Sequence, residues 1–306
     1  MVRVWRALLV SLWLGAGCAP AVGPLFTSAD SGPASNTAAP ADKSPDARAA
    51  TAGSAQDASA PDAGAPDAAA ADAGKSVVRP GMRLQYQLQG ALDQTTDADL
   101  FVIDLFDTTS AAVAQLHARG RVVLAYISAG SYEPWRPDVS SLPASVVGEP
   151  LARYPEESWL DIRASSVRTM MEGRLTMAVD KGFDGALLVS LDGYLTKSGH
   201  DFSATDQLAY NVWLAQQAAA RHLAAGISSD WPHAGKLASN YDFAIHLNCL
   251  ADGSCADLTP FRERGHAVFD LETSHDTATV CARAAGLSLS VTLKNDNYDA
   301  WLAVCP

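Results

Sequence analysis

Five acids, Asp104, Asp192, Asp230, Asp270 and Glu272, fall at or near the ends of stretches that read as β-strands. Two carboxyl groups held close together in one pocket can carry acid–base hydrolysis. One protonates the leaving oxygen, and the other attacks the substrate or activates water. Asp230 with Glu272 is a candidate for such a pair. The same acids can instead bind sugar hydroxyls or amines, cap helices, or pair with Arg and Lys, and Asp104 and Asp107 read as structural or substrate-positioning groups. Tyr126, Tyr132, Trp135 and Tyr194 each offer a flat apolar face that can stack on a sugar ring or pack in a core. Ser128, Ser131 and Ser190 lack the nucleophile-elbow context of a serine hydrolase. His200, His233, His246 and His275 are scattered without ligand spacing, so no metal and no cofactor is expected.

The elements that must position these groups alternate. Strand-like runs cover 83–88, 100–104, 121–128, 185–190, 224–228, 243–247, 267–271 and 287–292, and helical patterns cover 110–119, 165–181, 204–223, 258–264 and 277–285. Ser203-Ala-Thr-Asp206 supplies N-cap chemistry for one of the helices. About eight strands alternating with helices over residues 79–306 predict an α/β fold, a (β/α)8 TIM barrel whose site lies at the C-terminal strand ends. A doubly wound sheet is the alternative. Without a Gly-rich phosphate loop, its nucleotide-binding version has no support.

Residues 1–18 read as an export signal: Arg3 and Arg6, then an apolar run from Ala7 to Leu14, then Gly15-Ala16-Gly17 before Cys18. Cysteine at that place suggests a lipoprotein signal, with Cys18 as the lipidated N-terminus and the membrane reached through that lipid. The alternative is a cleaved, freely secreted protein. Residues 19–78 are Ala, Pro, Asp, Ser and Gly with few large apolar side chains, the composition of a disordered tether. The chain carries a net charge of −12, and most of the excess acid lies in 79–306. That disfavours nucleic acid as a partner. Of five cysteines, lipidation of Cys18 leaves an even four, Cys249, Cys255, Cys281 and Cys305, for two disulfides in an oxidising compartment. Three pairings are possible; Cys249 with Cys255 and Cys281 with Cys305 is favoured.

Several segments together resemble glycoside hydrolase family 114, the endo-α-1,4-polygalactosaminidase-like barrels. They are LQYQLQG from Leu84, VIDLFDT from Val102, AYISAGSYEPWRPD from Ala125, WLDIR from Trp159, GFDG from Gly182, DGY from Asp192 and NVWL from Asn211. The resemblance spans residues 80–306. It implies a TIM barrel acting on partly cationic galactosamine polymers, with Asp104, Tyr126, Ser128, Tyr132, Asp192, Tyr194, Asp230 and Glu272 as candidate substrate-binding residues.

The departures from the family pattern are concentrated. Where the family reads Gly-Phe-Asp-Gly-x-Glu-Pro-Asp-Asn-x-Asp-Gly-Tyr, this chain has Leu187 for the Glu and Val189 for the Asp, with the flanking spacing intact. Leu247 stands at a second expected Glu. Leu and Val cannot donate or accept a proton, and losing one acid–base group typically costs on the order of 10²–10⁴ in rate. The expectation is therefore a catalytically degenerate, surface-tethered protein that binds an amino-sugar polysaccharide. The alternatives are an active glycosidase that uses relocated carboxylates such as Asp230 and Glu272, and an envelope structural or interaction protein.

Overall fold

The computed structural model describes residues 76–305. The export signal, Cys18 and the tether up to residue 75 lie outside the described residues. Along the chain run β1 (Leu84–Gln87), β2 (Leu100–Asp104), α1 (Ser110–Ala118), β3 (Val122–Ser128), β4 (Ser131–Tyr132), β5 (Val147–Pro150), β6 (Ser158–Leu160), α2 (Ser165–Lys181) and β7 (Gly185–Val189). Then follow α3 (Ala204–Ala219), β8 (Ala224–Ile227), α4 (Ala234–Leu237), β9 (Phe243–Leu247), α5 (Cys249–Asp252), α6 (Thr259–Glu263), β10 (Ala267–Glu272), α7 (Thr277–Ala284), β11 (Ser290–Lys294) and β12 (Leu302–Val304).

Eight strands, β1, β2, β3, β7, β8, β9, β10 and β11, pair in that order, each parallel to the next, as in a (β/α)8 barrel. The seam is not a ladder. Thr292 Oγ donates to the Leu84 carbonyl at 3.2 Å, Lys294 Nζ donates to Gln85 Oε1 at 2.8 Å, and β12 lies antiparallel on β11. The last barrel strand starts later than the apolar run from 287 suggests, because Gly286 and Ser288 take positive φ (81° and 52°) and break extended backbone there.

Strand side chains alternate between two buried layers. Leu84, Tyr86, Val102, Leu124, Leu187, Val189, Phe243, Phe269 and Leu271 fill the lumen. Phe101, Ile103, Val123, Ala186, Leu188 and Val268 face the helices. Gly226 makes room for this packing: a Cβ there would fall 2.0 Å from the Phe243 ring. Helix ends follow local chemistry. Ser203 and Asp206 form a capping box on α3, and Gly182 ends α2 in the left-handed conformation at φ 85°. Between β3 and α2 the chain departs from the simple repeat: β4, β6 and β5 make a small antiparallel sheet at the C-terminal end of β3. The disulfides are Cys249–Cys255 and Cys281–Cys305, the second tying β12 to α7. Among the described residues, no helix is long and apolar enough to cross a membrane.

Candidate functional site

The C-terminal mouth of the barrel has an apolar and aromatic floor. Leu187 is fully buried, Val189 is 8% exposed, and Leu247 packs against the same cluster. Tyr126 pairs with Leu187 across the β3–β7 ladder, and Gly226 lies on its other side. The Tyr86 ring meets Tyr126 edge-on at 6.1 Å and Tyr298 at 5.1 Å. Burial pushes the Tyr86 and Tyr126 phenols far above their usual range, so both stay neutral donors at physiological pH. None of these side chains can exchange a proton with a sugar near neutral pH.

The backbone around that floor is unusual. Ser190, Asp230 and Asn248, which follow β7, β8 and β9, all adopt φ near 60°, and Tyr298 adopts 51°. Non-glycine residues in this region are uncommon, although Asp and Asn enter it more readily than most, and each costs on the order of 1 kcal/mol that the surrounding contacts must offset. Three successive strand ends thus keep strained turns, although the side chains at 187, 189 and 247 carry no reactive group.

The polar groups form a rim. At the end of β2, Asp104 accepts from the Phe106 and Asp107 amides and pairs with Arg136 at 2.5 and 3.0 Å. Arg136 also binds Glu133 at 3.0 Å. The fully buried Arg174 binds Asp138 at 2.8 Å and the Ser128 carbonyl at 2.7 Å, with Glu133 3.8 Å away. Both guanidinium groups lie over the Phe106 ring. Desolvation raises the Glu133 carboxyl despite its two cationic neighbours. Ser128 and Ser131 share a hydroxyl–hydroxyl hydrogen bond, and Ser131 donates to Glu157 at 2.6 Å. Burial pushes Glu157 up to about 7. A cleft of about 170 Å³ lies beside this rim, lined by Gln87, Leu88, Asp104, Asp107, Thr108 and Thr109. Ile103 and Leu92 of the outer layer line it too, whereas Leu88 packs on the lumen cluster.

A second polar cluster follows β7 and β8. Asp230 accepts from Tyr194 Oη at 3.0 Å and Asn211 Nδ2 at 2.7 Å, and lies 3.0 Å from His233 Nδ1. Tyr194 stacks on His233. Burial raises Asp230 even so. Asp192 beside it is pushed up to about 6, first by burial and then by the Asp230 charge.

The structure does not bring Asp230 and Glu272 together; they share no hydrogen-bond partner. Phe269 and Leu271 point into the lumen, so Asp270 and Glu272 face outward. Glu272 Oε1 accepts from the Leu250 and Ala251 amides at 2.8 and 3.2 Å. Of the aromatic candidates, Trp135 is the most exposed at 44%, Tyr194 and Tyr126 are partly covered, and Tyr132 packs against the outer core. Arg136, Arg174, Glu133 and Glu157 were not singled out from the sequence. Three of them lie within or beside the quoted motifs, but nothing local shows that they converge. Among the described residues, the one His, Cys, Asp and Glu set at ligand spacing is Cys249, Cys255 and Asp270, and its sulfurs are bonded to each other.

Comparison with known proteins places this geometry in a family. The model of glycoside-hydrolase family GH114 matches residues 65–306. A crystal structure of Aspergillus fumigatus Ega3 in complex with galactosamine is 33% identical, with a TM-score of 0.71 over 74% of this chain and 96% of that one. The glycoside hydrolase domain of PelA from Pseudomonas aeruginosa is 14% identical, with a TM-score of 0.60 over 73% of this chain and 98% of that one, a likeness of fold. A search of curated proteins found no match. The chain belongs to glycoside-hydrolase family GH114.

Proposed function

We propose that this protein is a catalytically degenerate member of its family that binds galactosamine-containing polysaccharide at the barrel mouth. We also propose that it is exported and held at a membrane surface through lipid on Cys18. One observation carries the reading: Leu187 and Val189 occupy the inward face of β7, with Leu247 beside them, where the resemblance places carboxylates. Glycosidic cleavage needs an acid and a nucleophile or base on opposite sides of the bond, and alkyl side chains supply neither. The strained turns at Ser190, Asp230 and Asn248 favour a mouth still shaped for a ligand. Asp192, Asp230 and Glu157 around it suit a polymer bearing protonated amines. Ega3, at 33% identity, is described in complex with galactosamine, which points to the same class of sugar.

The test is a paired assay of binding and of reducing-end release on acetylated and deacetylated galactosamine polymers. Binding of the deacetylated polymer without cleavage is the expected result. Efficient cleavage that Asp192→Asn or Asp230→Ala abolishes would overturn it and favour the second reading, an active glycosidase with relocated acids. The observation behind that reading is the neighbouring pair Asp192 and Asp230, whose carboxyls are both raised. Absence of both binding and cleavage would leave an envelope interaction role.

A further inference from the structure

We propose that Cys249–Cys255 is a redox-active disulfide and that Asp270 is its proton donor, so that this flank of the barrel exchanges thiols with a dithiol reductant. The two sulfurs and an Asp270 carboxylate oxygen all lie within 4.8 Å of one another. Asp270 Oδ1 accepts from the Cys249 amide at 2.9 Å, while Oδ2 is buried with no donor facing it, and the group beside it with which it can share a proton is Glu272. Buried polar atoms in folded proteins are nearly always paired, and a proton held between Asp270 and Glu272 satisfies this one. Burial, and then a hydrogen bond shared with the adjacent Glu272, raises the Asp270 carboxyl, so the pair retains a proton that Asp270 can pass to the sulfur beside it.

The surrounding charges come from several elements. Glu272 lies on the same face of β10. His246 on β9 lies abreast of Asp270, and burial keeps it neutral. Asp257 is 3.8 Å from His246, Asp252 ends α5, and Arg283 on α7 bonds to the Leu250 carbonyl.

Accessibility sets the direction of attack. Cys249 is fully buried and Cys255 is partly exposed. An incoming thiolate bonds to Cys255 Sγ and the disulfide breaks. Cys249 Sγ leaves with the electron pair and takes the Asp270 proton, leaving a carboxylate. The second thiol of the reductant then attacks its own sulfur in the mixed disulfide, releasing Cys255, which is protonated from solvent. The reductant departs as a disulfide, oxidised by two electrons, and both protein cysteines are reduced. Among the described residues no acid is placed in this way against Cys281–Cys305, so the second bridge serves as an internal control.

The experiment opens both disulfides of the folded protein with dithiothreitol, traps the freed thiols by alkylation and follows each pair by mass spectrometry, with rates normalised to thiolate. At pH 7, Asp270→Asn should slow opening of Cys249–Cys255 by on the order of 10–100-fold and leave Cys281–Cys305 unchanged. The gap between wild type and variant should close as pH rises and Asp270 ionises. Equal or faster opening of Cys249–Cys255 in Asp270→Asn would mean a merely structural acid and would overturn the proposal. So would opening of both bridges in wild type at the rate of global unfolding. If Asp270→Asn does not fold, Glu272→Gln replaces it. Removing that neighbouring charge should move the wild-type pH profile to lower pH, and an unmoved profile overturns the proposal.

Discussion

Leu187 lies abreast of Tyr126 in the β3–β7 ladder, a fully buried alkyl group beside a phenol that burial holds neutral. The pair makes the centre of the mouth unreactive and sets what a restored acid would encounter. Leu187→Glu should destabilise the fold by about 3 kcal/mol, because a carboxylate there loses its water and meets no cation, only the neutral Tyr126 phenol. Val189→Asp, nearer the opening, should cost less. Urea unfolding of the two variants checks the order; equal stability of Leu187→Glu and wild type would mean that water reaches position 187.

The Arg174 side chain is fully buried between Asp138, Glu133 and the Ser128 carbonyl. Truncating it strands the buried Glu133 and leaves the half-buried Asp138 without its partner, so Arg174→Ala should cost about 3 kcal/mol by chemical denaturation. Arg174→Lys should recover only part of that, because a point charge cannot replace the fork that binds Asp138 through both Nε and Nη2.

Glu157 and Asp192 titrate higher in the folded protein than in an unfolded chain, at about 7 and about 6. The native state therefore holds protons that the unfolded state has released between roughly pH 4 and 7. Stability from these groups is fully present below their unfolded values and is lost as pH rises through the folded ones. Glu157→Gln should raise the Tm at pH 8 relative to wild type and flatten its decline between pH 5 and 8. A variant that melts lower at pH 8 than wild type would show that the ionised carboxylate is held by favourable contacts.

Binding of a cationic polymer needs Asp192 ionised. Affinity for deacetylated galactosamine oligomers should fall as pH drops below about 6, the value to which burial raises Asp192. Asp192→Asn should weaken binding about tenfold near pH 7, roughly 1.4 kcal/mol, and abolish that pH step. Calorimetric titration at pH 5, 6 and 7.5 measures both effects. A pH-independent affinity would remove Asp192 from the ligand contact.

Cys281–Cys305 closes a segment of 24 residues and fastens β12 beside α7. Replacing both cysteines by serine should lower unfolding free energy by about 3 kcal/mol, with hydrogen exchange increasing first in β12 and the end of β11. Unchanged protection there would mean that β12 is held by its ladder alone.

Much of this protein follows from local rules that the sequence obeys on its face. Alternating strand and helix patterns specify the parallel barrel. Ser203 with Asp206 and Gly182 mark helix ends, because capping depends on residues three or four apart. The alkyl groups at 187, 189 and 247 are sequence facts once the surrounding motifs set the frame. Which face each side chain takes is another matter. In a parallel barrel both faces of a strand are buried, so Val268 and Phe269, or Ala186 and Leu187, show no polar alternation that tells lumen from outer layer. Only the closed barrel decided that Asp270 and Glu272 turn outward, away from Asp230. Likewise, Asp104 meets Arg136 from 32 residues away and Arg174 meets Asp138 from 36, through a small sheet that breaks the βα repeat. Contacts at that separation depend on the path of the whole chain. No short-range preference encodes them, so the rim of the mouth and the acid beside the disulfide became visible only in three dimensions.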